Sequence, residues 1–148
     1  MDSFGPNLAA GRLLLPDGEV LEAETTEAVF LASRLGARTT AGRGGDGHRN
    51  HGVSRVSLDR RDSALRAYFH EQRLILVSTC VTLPDDGSGW DDWTLEREMR
   101  RKDVHDAWLR SYLGEPPWSF AWGSIWSDYD PRSGGSNWGM SFRAKDAG

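Results

Sequence analysis

At 148 residues the chain has the length of one domain. A hydrophobic content of 38%, a charged content of 27% and a formal net charge of -4 exclude a disordered chain and a generally basic nucleic-acid binder. A domain of this size buries roughly two-thirds of the surface of its unfolded chain, enough for one core without staples. The single cysteine, Cys80, sits in the apolar run 74–83 and is expected to be a small buried hydrophobe. Residues 1–11 lack the basic start and apolar stretch of a signal peptide, and no run approaches the ~20 apolar residues of a membrane span. A reducing, cytoplasmic setting is expected. Sixteen of the 18 basic residues are arginine, and neither half of the chain is an acidic or basic tail.

In chain order, Pro16-Asp17-Gly18 predicts a tight turn between two short strands, 11–15 and 19–22. Thr25 or Thr26 can cap a short helix over 26–35, with Gly36 as a left-handed stop. Residues 37–52 are rich in Gly, Arg, Thr and His without apolar periodicity, which predicts a flexible loop. Three strands follow, at 53–58, 64–69 and 74–83. In the third, Ile75, Val77, Thr79, Val81 and Leu83 share one face, as in a strand covered on one side.

A second flexible loop is predicted over 84–93. Thr94 then caps the one long helix, 94–113, with Glu96 and Glu98 in its first turn, where the helix dipole favours anions. Leu95, Met99, Val104, Trp108 and Tyr112, with Leu109 and Leu113, form the apolar stripe; Arg97, Arg100, Arg101, Asp103, Asp106 and Arg110 form the polar side. Glu96/Arg100 and Glu98/Lys102 stand at i,i+4 spacing. Gly114 and Pro116-Pro117 end the helix. Alternation of Trp118, Phe120 and Trp122, and of Trp138, Met140 and Phe142 around the turn 130–135, predicts a closing hairpin. The fold class is therefore α+β: an antiparallel sheet of about six to seven strands with the long helix on one face, in a single domain.

No reaction signature emerges. His48 and His51 have H-x-x-H spacing but lack a third ligand on a rigid support, so no metal site is expected. The glycines of 42–47 are not followed by the Lys and Ser/Thr of a phosphate loop. His105 borders the helix stripe without a catalytic partner and reads as structural, as does His70. No catalytic residue and no cofactor are assigned. Asp85, Asp86, Asp91 and Asp92 form an acidic run flanked by Trp90 and Trp93. Of the seven tryptophans, Trp108, Trp118, Trp122 and Trp138 are assigned to the core. Trp90, Trp93 and Trp126 remain as candidates for an interface, which favours tryptophan.

The segments Trp90-x-x-Trp93-Thr94-x-Glu96-x-Glu98, Arg101-Lys102-x-x-His105-Asp106-x-Trp108-Leu109, Leu113-Gly114, Trp122-Gly123-x-Ile125 and Tyr129-Asp130-Pro131-Arg132-Ser133-Gly134-Gly135-Ser136 resemble a group of small bacterial proteins similar to the immunity proteins of polymorphic toxin systems. The resemblance spans residues 90–142. It implies a cytoplasmic protein that binds and neutralises a cognate toxin, with no nucleic-acid or membrane partner. An acidic face of Asp85, Asp86, Trp90, Asp91, Asp92 and Trp93, with Trp126, would suit a basic nuclease toxin through complementary charge. The alternative is a carbohydrate-binding or carbohydrate-active module using tryptophan platforms with Asp128 or Asp130.

Overall fold

The computed structural model describes residues 4–83 and 93–143. A first helix, α1 (Phe4–Ala9), leads into the hairpin β1 (Leu13–Leu14) and β2 (Val20–Leu21), closed by a 3-10 turn at Pro16–Gly18. Then come α2 (Glu27–Ala32), a 3-10 turn at Gly36–Arg38, and four strands: β3 (Thr40–Ala41), β4 (His48–Leu58), β5 (Arg61–His70) and β6 (Arg73–Val81). The long helix α3 (Leu95–Leu113) precedes β7 (Trp118–Phe120), β8 (Gly123–Asp130) and β9 (Gly135–Phe142). Seven strands form one antiparallel sheet in the order β3-β4-β5-β6-β9-β8-β7, and β1-β2 form a separate pair. The α+β class, the single long helix and the pairing of β8 with β9 around the turn 130–135 are as the sequence predicts, but the alternating run from Trp118 breaks at Ala121-Trp122, so Trp118 and Phe120 form β7, an edge strand antiparallel to β8.

The helices share one face of the large sheet. Trp138 is fully buried at its centre and meets Trp108 of α3 edge to face, centroids 5.0 Å apart. Such a pair adds about 0.5–1.5 kcal/mol beyond the area it buries. Phe4 of α1 stacks on Trp108 at 5.4 Å, so the chain's first helix completes the cover. Asp59, in the β4–β5 turn, accepts from the Trp108 indole at 2.8 Å and from the Tyr112 hydroxyl. Trp118 is buried, and Trp122 packs at the edge of the same core.

Four expectations need correction. Residues 37–52 are not one loop but hold β3 and the start of β4: β4 begins at His48, and Asp46-Gly47, both at positive φ, turn the chain from β3 back into it. That is the Asp-Gly signature of a two-residue hairpin turn, hidden by a segment poor in apolar residues. The short helix ends at Ala32, capped at its start by Thr26, and Gly36 is not left-handed but opens the 3-10 turn. In β6 a bulge at Ile75 shifts the register, so Leu74 joins Val77, Thr79 and Val81 in the core, while Cys80 lies half-buried on the opposite face. In α3 the buried residues are Glu98, Arg101, His105, Trp108 and Leu109, whereas Leu95 is 51% exposed. Arg101 therefore points inward, and Glu98 pairs with it at i,i+3 rather than with Lys102, which bonds Asp106 at 2.7 Å.

The β5–β6 turn is formed by Glu71 and Gln72 at φ 49 and 72. This is the conformation for which Asn-Gly is preferred. Left-handed backbone costs an ordinary residue roughly 1–2 kcal/mol. The pair Glu71→Asn, Gln72→Gly is therefore expected to raise the unfolding free energy by about 1 kcal/mol or more in urea melts. An unchanged midpoint would show that the turn carries no strain.

Candidate protein-binding surface

Of the predicted interface residues, Asp85, Asp86, Trp90, Asp91 and Asp92 lie outside the described residues. The two that are described, Trp93 and Trp126, both contact the β8–β9 hairpin, Trp93 at its turn and Trp126 four residue pairs away from it. Trp93 is 38% exposed, and its indole Nε1 donates to the Gly134 carbonyl in the hairpin turn at 2.7 Å. Trp126 projects from β8 onto the sheet face opposite the helices, the parity set by its neighbour Ile125 facing the core. Its ring lies across Gly139 of β9, where a Cβ would come within 2.6 Å of it, and its Nε1 donates to Ser141 Oγ at 3.0 Å. Glycine at 139 is thus needed for the ring to rest on the sheet.

That opposite face carries no helix among the described residues. Register places Gly52, Arg66, Ser78, Gly139 and Trp126 in one row across five strands, and Asn50, Tyr68, Leu76, Ser141 and Ser124 in the next. Small residues floor a trough of about 450 Å³, with Arg66 and Tyr68 along one side. Arg66 donates to Asn50 Oδ1 at 2.7 Å, which holds its guanidinium over Gly52. Arg66 and Tyr68 escape a reading by composition; the alternation of buried and half-buried residues through β5 is the signal that places them.

The hairpin turn carries an ion pair, Asp130 with Arg132, Oδ1 to Nε 3.4 Å. The Arg132 N–H donates to Asp130 Oδ1 at 2.9 Å, and this backbone bond, with the Arg132 side chain, holds the Asp130 carboxyl below its ordinary range. Asp128 faces the same side as Trp126.

The anchors on either side of residues 84–92 are held by α3. Val81, the last residue of β6, donates its N–H to His105 Nε2 at 3.1 Å, and its carbonyl accepts from Arg101 Nη1. Arg101 also donates to both Glu98 carboxylate oxygens at 3.2 Å. Glu98 Oε1 accepts from Ser136 N–H of β9 at 3.0 Å, and its backbone carbonyl accepts from Ser136 Oγ at 2.7 Å. His105 is a buried structural residue, as expected from its place beside the stripe. Its pKa is pushed down to about 4, first by burial and then by the charge of Arg101.

His48 and His51 do not act together. His51 is buried and bonds Glu27 Oε2 of α2 at 2.6 Å, while His48, exposed, stacks on His70 with centroids 4.3 Å apart. Among the described residues no three His, Cys, Asp or Glu side chains converge as metal ligands. No helix of the described residues is long and apolar enough to cross a membrane. No family model, curated protein or solved structure matches the chain.

Proposed function

We propose that this protein is a cytoplasmic binding domain of the immunity type, which occupies and neutralises a cognate protein toxin. The observation that carries this reading is the β8–β9 hairpin, which presents Trp126 on the uncovered sheet face and holds Trp93 at its turn. Tryptophan, tyrosine and arginine are enriched among interface hot spots; Arg66 and Tyr68 line a shallow trough, and Trp126 stands on the same face of the sheet, in one row with Arg66. Asp128 adds an exposed carboxylate on the same face as Trp126, and the acidic run Asp85, Asp86, Asp91 and Asp92 precedes Trp93 in the chain. That charge favours a basic partner such as a nuclease toxin, by speeding association.

The test uses the product of the neighbouring gene, co-expressed and purified with this protein. A stoichiometric complex is expected. Trp126→Ala is expected to weaken it by at least ~2 kcal/mol, about thirtyfold in Kd by calorimetry, with the free protein's melting temperature nearly unchanged. No complex with the wild-type protein would end the reading. A second reading, a glycan surface, draws on the Trp126 ring set among the hydroxyls of Ser124 and Ser141. It requires a change in tryptophan fluorescence on titration with glycans that Trp126→Ala abolishes.

A further inference from the structure

Two large side chains on the open sheet face lie across glycines of a neighbouring strand. One is Trp126, over Gly139. The other is Arg66, over Gly52. A Cβ at position 52 would come within 2.5 Å of Arg66 Nη2 and 2.6 Å of its Cζ, and one at position 42 within 2.8 Å of its Nη1. Asn50 completes the seat. Its Oδ1 accepts from Arg66 Nη1 at 2.7 Å and its Nδ2 donates to the Arg43 carbonyl at 2.6 Å, so both ends of the amide are committed. The Asn50 carbonyl in turn accepts from Gly42 N–H at 3.0 Å.

This seat fixes the guanidinium without neutralising it. Ordering a long side chain costs rotamer freedom, which an arginine that merely faces water keeps. A guanidinium has five N–H donors. One goes to Asn50, and among the described residues none meets a carboxylate. The Nε–Nη2 edge is left over, and that edge grips a carboxylate through two parallel bonds. Register puts three acids on this face. Asp62 is paired with Arg55 at 3.3 Å, Asp130 with Arg132 at 3.4 Å, and Asp128 stands on β8, three strands away from Arg66. Among the described residues that line the trough, Arg66 alone is charged; its neighbours there include the hydroxyls of Thr40, Ser54, Ser78 and Tyr68. One fixed cation over an uncharged floor is complemented by an anion.

The surroundings narrow the source of that anion. Small-molecule sites enclose most of their ligand, whereas this trough is shallow and open along the sheet. The anion therefore arrives on a macromolecule. A nucleic-acid backbone is held by several cations, and a single guanidinium in a chain of net charge -4 does not supply them. We propose that Arg66 seats a carboxylate side chain of the protein partner that also covers Trp126. The inference rests on the immunity-type reading of this face and adds the contact that orients the partner. Arg66 and Asp128 place opposite charges roughly 14 Å apart across the strands. A partner that is basic overall but carries one carboxylate at the matching point can then dock in one register only.

The test is calorimetry on the complex with the neighbouring gene's product, at constant ionic strength. Arg66→Gln is expected to weaken it at least ~10-fold, and Arg66→Lys to recover little of the loss, because an ammonium cannot form the fork. Asn50→Ala keeps the charge but frees the side chain, and should cost about threefold. Replacing the partner's Asp and Glu residues by their amides, one at a time, should find one position whose effect disappears in the Arg66→Gln background. Unchanged thermal melts of the free variants verify their fold. If Arg66→Gln binds within about twofold of wild type while Trp126→Ala still weakens the complex, the face remains the interface and the carboxylate contact is overturned. A partner without any coupled carboxylate overturns it as well. Binding of single-stranded RNA that Arg66→Gln abolishes would assign the guanidinium to phosphate instead. If the wild-type protein forms no complex, the immunity reading and this inference fall together.

Discussion

Replacing Arg101 by alanine is expected to lower the unfolding free energy by about 3–5 kcal/mol. Arg101 is 6% exposed, and its guanidinium serves both oxygens of Glu98 and the carbonyl of Val81. Without it a carboxylate remains in the interior with one backbone N–H, from Ser136, as its partner among the described residues. The loss would take a large share of the 5–15 kcal/mol typical of a domain. The double variant Glu98→Gln, Arg101→Met should recover part of it, because no lone charge is then buried, although the Val81 carbonyl still lacks its donor. Urea unfolding followed by tryptophan fluorescence reads both changes. A cost below ~1 kcal/mol for Arg101→Ala would mean that the pair behaves as a surface ion pair.

Acid should unfold the protein through His105. Its Nε2 accepts from the Val81 N–H, so the proton of the neutral ring is on Nδ1, and protonating Nε2 would set two N–H groups against each other. Burial and the nearby Arg101 charge depress its pKa from 6.5 to about 4, against the opposing pull of Asp106. The unfolded chain therefore takes up this proton before the folded chain does. The stabilisation is complete above pH 6.5 and is lost progressively as pH falls to about 4. The loss is about 1.4 kcal/mol per pH unit within that window, on the order of 3 kcal/mol in all. His105→Gln should flatten this slope relative to wild type, and the difference between the two separates His105 from the chain's other histidines. Parallel pH profiles would remove His105 as the cause.

The parts of the fold that were legible are those where periodicity and punctuation agree. Thr94 and Gly114 bound α3, and alternation from Trp138 to Phe142 set the core face of β9. The rest was hidden where a polar residue is buried by a specific partner. Arg101 looks like a solvent residue until Glu98, Val81 and Ser136 are folded around it, and His51 looks like loop until Glu27 arrives from 24 residues away. β6 was misread because one bulge residue, Ile75, reverses the face of Leu74. Trp126 was recognisable as a candidate, but the ring's support depends on Gly139, which becomes its neighbour only through the β8–β9 pairing.

The strand order also sets how the chain assembles. The central neighbours of the sheet, β6 and β9, meet through pairs such as Leu76 with Ser141, so the sheet's central pairing must wait for a strand made more than 50 residues after β6. Until Gly135–Phe142 leaves the ribosome, the meander of β3 to β6 stands with one edge of β6 unpaired. Residues 74–81 of that strand read Leu-Ile-Leu-Val-Ser-Thr-Cys-Val, without a charge or a proline to discourage pairing with another chain. A stop codon before residue 135 would therefore leave an open, sticky template at what should be the sheet's centre. Such a product belongs with inclusion bodies, and translation speed through the last hairpin sets how long every full-length copy runs the same risk.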